Sequence, residues 1–208
     1  MNPQQPVPQP QQTQPQKQPF SLVANKPTPL FDGAMSINLD QNFLDVSELT
    51  QVPDNQTVFG HKFTDQSIII EILQHEESVD DISAGTYFFT DLAHANECAP
   101  GEFEILEEKP AYQLNKSNPF PDCYQTIIFG KQKVPHAREK VKNTVFVGIY
   151  VLRLKKYNAE IMITFNDPIE LVGRAALNAI IVHDLPKSKA FFEQLAASFK
   201  IHDYSIFG

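Results

Sequence analysis

The run Ser67-Ile68-Ile69-Ile70-Glu71-Ile72-Leu73-Gln74 limits the folds open to this chain more than any other stretch. Its β-branched content favours a strand, although a short apolar run alone does not exclude a buried helix. Upstream, Pro53-Asp54-Asn55 forms a turn signal, followed by the apolar pair Val58-Phe59 and a polar connection with His61, Lys62 and Asp65. Two strands flanking a loop are predicted. Met35–Leu39 alternates apolar and polar residues before the turn residues Asp40-Gln41-Asn42, and Glu102–Ile105 alternates again. Tyr124–Lys133, Val145–Leu154 and Ala159–Asn166 read as three more strands. Tyr157-Asn158 suggests the hairpin turn between the last two, and Asp167-Pro168 is expected to end the sheet.

Helical signals are fewer. Leu185–Phe199 has apolar residues at helical spacing, with Asp184 as a cap and Pro186 in the first turn. A second helix is predicted over about Val79–Leu92, after the acidic patch Glu76–Asp81. Asp45-Val46-Ser47-Glu48 fits a capping pattern and predicts a short helix. Strands joined by short turns, with a few helices, indicate an α+β domain with a mostly antiparallel sheet.

The N-terminal stretch is of another kind. Seven Pro and eight Gln fill more than half of residues 1–28. Such a composition buries little, so a disordered tail is expected over 1–28, ahead of a folded domain over 29–208. At 208 residues and 42% hydrophobic, the chain suffices for one domain with a sizeable core. No apolar run approaches the roughly 18–20 residues of a membrane-spanning helix, and a secretory leader is not expected. Cys98 and Cys123 show no metal-ligand spacing and read as reduced thiols, with one disulfide left open.

Net charge is −8, which disfavours general attraction to nucleic acid. The charge is segregated: residues 45–108 carry 15 acids against one cation, Lys62, and residues 109–208 carry 14 cations against 8 acids. If sequence neighbours share a face, the molecule is dipolar and steers a complementary partner. The basic segment from Lys131 to Lys142 reads as a solvated connection, with contact to acidic partners or lipid headgroups as the alternative. GxxxxGKS/T, GxSxG, HExxH and GxGxxG are all absent, and the six His are scattered. No catalytic residue, cofactor or metal ligand is assigned. A carboxylate pair formed in space, as in a hydrolase, stays open. Asp54, Asn55 and Gln56 suit caps of their own turn, as Asp65 and Ser67 suit the start of the next strand. Glu71, among isoleucines, is either exposed on one face or buried at a cost of several kcal/mol unless paired.

Several segments together carry a family likeness. They are Pro29–Ala34, Asp45–Leu49, Val52–Gln56 with Val58-Phe59, Thr64–Ser67 running into the isoleucines, Phe192–Leu195, His202-Asp203 and Ile206-Phe207. In this order they resemble the Ran guanine nucleotide release factors, the Mog-type family whose fold is PsbP-like. The resemblance implies a sheet of about six antiparallel strands with helices on both faces. It also implies a non-enzymatic regulator, expected to be a monomer in nucleus and cytoplasm. Such a protein binds the GTPase Ran and promotes nucleotide release in support of nuclear protein import. An adaptor or trafficking cofactor without exchange activity is the alternative. Carried over from the family's acidic surface, the expected Ran-binding residues are Asp54, Asn55, Gln56, Asp65, Gln66 and Glu71, with Asp45 and Glu48 beside them.

Overall fold

The computed structural model describes residues 22–47, 49, 51–135, 141–172 and 184–208. A small sheet has the order β1 (Lys26–Leu30), β2 (Met35–Leu39), β10 (Lys200–Ile201). The main sheet has seven strands. Its order is β3 (Phe43–Asp45), β4 (Gln56–His61), β5 (Ser67–Gln74), β9 (Ala159–Glu170), β8 (Lys142–Leu154), β7 (Tyr124–Pro135), β6 (Phe103–Pro110). Every neighbouring pair is antiparallel. Helix α1 (Ala84–Ala95) lies on one face, and α2 (Leu185–Ala197) with the small sheet lies on the other.

Side-chain alternation divides the core in two. On the inner face Phe59, Ile68, Ile70, Ile163 and Phe165 meet Phe191, Phe192 and Leu195 of α2. On the outer face Ile128, Val147, Ile149 and Val151 meet Phe88 and Phe89 of α1. Two glycines let the helices approach. A Cβ on Gly130 would stand 2.2 Å from the Phe89 ring, and one on Gly148 would stand 2.6 Å from the Phe192 ring. Each helix thus sets one phenylalanine where a strand lacks a side chain.

Local chemistry matches the sequence at several ends. Asn158 turns the β8–β9 hairpin at φ 49°, a conformation Asn tolerates better than most residues. Asp184 caps α2 by accepting from the Lys187 amide at 3.2 Å.

Four expectations are corrected. Residues 22–28 belong to the folded body: Lys26 to Thr28 lie in β1, and the Val23 amide donates to Asp40 at 3.0 Å. The tail expected over residues 1–21 lies outside the described residues. Asp45 ends a strand instead of starting a helix, and its carboxylate takes the Ser47 amide at 2.8 Å, a two-residue turn. α1 starts at Ala84, later than expected, because Arg153 takes the Val79 carbonyl at 2.6 Å and the Glu76 carbonyl at 2.7 Å. β9 continues through Pro168 to Glu170. Its pairing with β5 ends at Asn166, so the proline nitrogen needs no partner on that side, and a bulge at Ile169 of β9, opposite Thr144 and Val145 of β8, absorbs the shift.

Candidate partner-binding face

The register of β4 on β5 sets this face. Gln56 stands opposite Glu71, Val58 opposite Ile69, and Gly60 opposite Ser67. Paired residues share a face. All six therefore point away from the side on which Phe59, Ile68 and Ile70 are buried. α1 covers this side over β6, β7 and β8. The β4–β5 hairpin lies beyond its cover.

Glu71 is the charged residue of this face on the hairpin. It is half-buried and accepts from Gln56 Nε2 at 2.5 Å. Burial pushes its carboxyl above the usual carboxylate range, and the Gln56 bond offsets this only in part. Among the described residues no cation pairs with it. The outcome lies between the two sequence alternatives: a carboxylate partly withdrawn from water, with one neutral partner. Asn55 pins the neighbouring turn to β5, its carbonyl accepting from the Ile72 amide at 2.9 Å and its Nδ2 donating to the Ile72 carbonyl at 3.0 Å. Asp54 is exposed beside it.

The other expected residues divide. Asp65 is exposed in the β4–β5 turn, at the far end of the hairpin from Asp54, roughly 20 Å away at the rise of a strand. The structure therefore does not gather Asp54, Asp65 and Glu71 into one patch. Gln66 is buried and donates to Asp167 Oδ1 at 2.9 Å, so it holds the sheet to β9 and cannot meet a partner. Asp45 is exposed at the end of β3. Glu48 lies outside the described residues. The sequence reading omitted Val58 and Ile69. Their signal was alternation with Phe59 and Ile70, readable only once the core side was known.

A part of the chain's charge asymmetry is paired internally. Lys109 meets Glu193 at 2.6 Å, Lys131 meets Glu104 at 3.5 Å, Lys142 meets Glu102 and Lys189 meets Glu107. Glu104 and Glu107 of β6 are thus answered from β7 and α2, Glu102 just before β6 from β8, and Glu193 of α2 from β6. Arg138 and Lys140 of the basic segment lie outside the described residues. Asp54, Asp65, Glu77, Asp80 and Asp91 have no such partner among the described residues.

A buried ionic cluster secures the chain beyond β5. Arg153 and Glu160 are 1% and 0% exposed, and Arg153 Nε donates to Glu160 Oε1 at 3.1 Å. The same oxygen contacts His75 Nδ1 at 2.7 Å, and Arg153 Nη1 stands 3.1 Å from Asp81 Oδ1. Beside the cluster opens a cavity of about 450 Å³ that Cys123 helps to line. Burial raises that thiol above its ordinary value, so it is a poor nucleophile at neutral pH. Among the described residues no group of His, Cys, Asp and Glu side chains is placed to hold a metal ion.

Comparison with known proteins decides the family. The family described as Ran-interacting Mog1 protein matches residues 28–168. The chain belongs to the Mog1 family. Its relatives include the Ran guanine nucleotide release factor of Danio rerio, 34% identical over 184 residues, which cover 86% of this chain and 98% of that protein. The Homo sapiens protein of the same name is 33% identical over 86% of this chain and 95% of its own length. The nuclear import protein MOG1 of Saccharomyces cerevisiae is 24% identical over 70% of this chain and 67% of its own. A crystal structure of the Saccharomyces cerevisiae Ran-binding protein Mog1p superposes with a TM-score of 0.67 at 20% identity, over 88% of this chain and 98% of that one. The Mog1 match spans the chain from β1 to Pro168 in β9, so it includes both the β4–β5 hairpin and the Arg153 cluster.

Proposed function

We propose that this protein binds Ran and promotes release of its guanine nucleotide, in support of nuclear protein import. It acts as a regulator of the GTPase and performs no covalent chemistry itself. Membership of the Mog1 family supports the partner, and the partly desolvated Glu71 carboxylate, served only by Gln56, carries the reading of the site.

A GTPase holds its nucleotide through backbone amides, a lysine and magnesium around the phosphates. A protein that binds the nucleotide-free form better must weaken nucleotide affinity by the same factor. A carboxylate offered to a basic group that is free only in the nucleotide-free form supplies such a preference. Glu71 contributes that charge, with Asp54 at the same end of the hairpin, and with Asp45, opposite Phe59, and Asp65, at the turn, as separate contacts. A protein with this role works in nucleus and cytoplasm.

Ran loaded with a fluorescent guanine nucleotide, titrated with the protein, tests the reading. Accelerated release, and tighter binding to nucleotide-free than to GTP-loaded Ran, are expected. Equal binding to both forms without release would leave an adaptor.

A further inference from the structure

The cavity of about 450 Å³ beside the Arg153 cluster has the volume of a small-molecule site. Phe120, Pro121 and Tyr124 give it walls of rings. Tyr157, at the β8–β9 turn, and Tyr204, near the C-terminus, also line it and stack on one another at 4.9 Å. Its polar ends are donors. Burial raises the Tyr204 phenol above its ordinary value, and neighbouring Cys123 and Tyr157 raise it further, which places the three groups close together. The Tyr204 hydroxyl and the Cys123 thiol, both raised, are protonated at neutral pH. Among the described residues none of the three groups has a hydrogen-bond partner. Lys155 and Lys156 line the cavity too, Lys156 with its ammonium 5.5 Å from the centre of the Tyr157 ring. Asp81 is taken by Lys155 at 2.7 Å and by Arg153 at 3.1 Å, and Asp122 is exposed. Three cations against two acids leave one positive charge in excess.

We propose that this cavity binds a small aromatic acid, its carboxylate held by the Tyr157 and Tyr204 hydroxyls and the Lys156 ammonium, its ring body lying against Phe120, Pro121 and Tyr124. Convergent donors without an acceptor suit an oxyanion, since hydrogen bonds to an ionised group are the strong ones. Arg153 adds charge but no free donor, because Glu160, His75, Asp81 and the carbonyls of Glu76 and Val79 already take its N–H groups. An amine would meet the excess positive charge, and an inorganic anion would leave the ring walls in water. The face of β4 and β5 supplies none of these residues, so the inference is independent of Ran.

Three probes with one ring body and different charge test this: 2-naphthoate, 2-naphthamide and 2-naphthylmethylamine, each titrated into the full chain by calorimetry. Saturable one-to-one binding of 2-naphthoate is expected, about tenfold or more tighter than the amide, with the amine weakest. Tyr204→Phe and Tyr157→Phe keep the stacked rings and remove one hydroxyl each, and each should weaken 2-naphthoate about 3- to 30-fold. Lys156→Gln should erase most of the preference for the acid over the amide. Lys116→Gln, at an exposed residue in the loop before β7, should change nothing. Thermal melts show that each variant is folded. Absence of saturable 2-naphthoate binding, equal binding of the three probes, or folded Tyr204→Phe and Tyr157→Phe variants that bind within twofold of the intact protein would overturn the inference and leave the Ran reading standing.

Discussion

Replacing Glu71 by glutamine should strengthen the fold and weaken the function. The carboxylate is partly withdrawn from water with a single neutral donor, so its ionised form is disfavoured in the folded protein. A carboxamide fits the same space, can accept from Gln56 Nε2, and carries no charge. Reversals of this kind at binding residues typically return about 0.5–2 kcal/mol. For a domain of this size each kcal/mol moves Tm by about 2–4 °C, so a rise of about 1–8 °C is expected at pH 7. The gain has a definite pH dependence. A carboxyl whose folded-state pKa is raised penalises the fold only when ionised. The advantage of glutamine therefore vanishes below the ordinary carboxylate pKa, where Glu71 is protonated in both states. It grows as pH rises through the raised folded value and is complete above it. Binding should move oppositely. Removing one partner of a desolvated charge pair costs about 2–5 kcal/mol, some 30- to several-thousand-fold in affinity for nucleotide-free Ran. Thermal melts at pH 3, 5 and 7 and a Ran titration measure both halves. A Tm at pH 7 below that of the intact protein, or unchanged affinity, would refute the reasoning.

Other variants separate scaffold from site. Deleting residues 1–21 should leave Tm and Ran-dependent release unchanged, whereas deleting 1–28 removes three residues of β1 and the Val23–Asp40 bond and should lower Tm; thermal melts of both decide. Arg153→Met strands the buried Glu160 carboxylate and should cost about 3–5 kcal/mol in denaturant unfolding, while the double variant Arg153→Met, Glu160→Gln should recover part of it. Gly130→Ala forces a Cβ against the Phe89 ring and the Glu104 carbonyl, and should cost about 1–3 kcal/mol by the same measurement.

What could be read from residue order was whatever depends on neighbours in the chain. β5 spans Ser67 to Gln74 as its isoleucines indicated, and the Asp184 cap and Asn158 turn follow from local chemistry. The errors arose where a distant residue intervened. Nothing near Val79 says that Arg153, 74 positions away, will claim its carbonyl and delay α1. Pro168 reads as a stop until one sees that β5 has already ended beside it. For the face, Glu71 was legible as a charge out of place, but its pairing with Gln56 needed the hairpin register. Gln66 was misplaced because its partner Asp167 lies 101 residues further on. Part of the apparent dipole is cancelled for the same reason, since Lys131, Lys142 and Lys189, late in the chain, answer Glu104, Glu102 and Glu107.

The position of β9 has a consequence for biosynthesis. It lies between β5 and β8, so the β4–β5 hairpin joins the main sheet only through a strand made about ninety residues later. During translation that hairpin must wait for its strand partner until Ala159–Glu170 has left the ribosome, and its inner isoleucines stay uncovered until α2 follows. Pairings so far apart in the chain fold slowly and expose sticky intermediates. The nascent chain should therefore depend most on chaperones in that interval, and a nonsense mutation before Ala159 should yield aggregate in place of a working fragment.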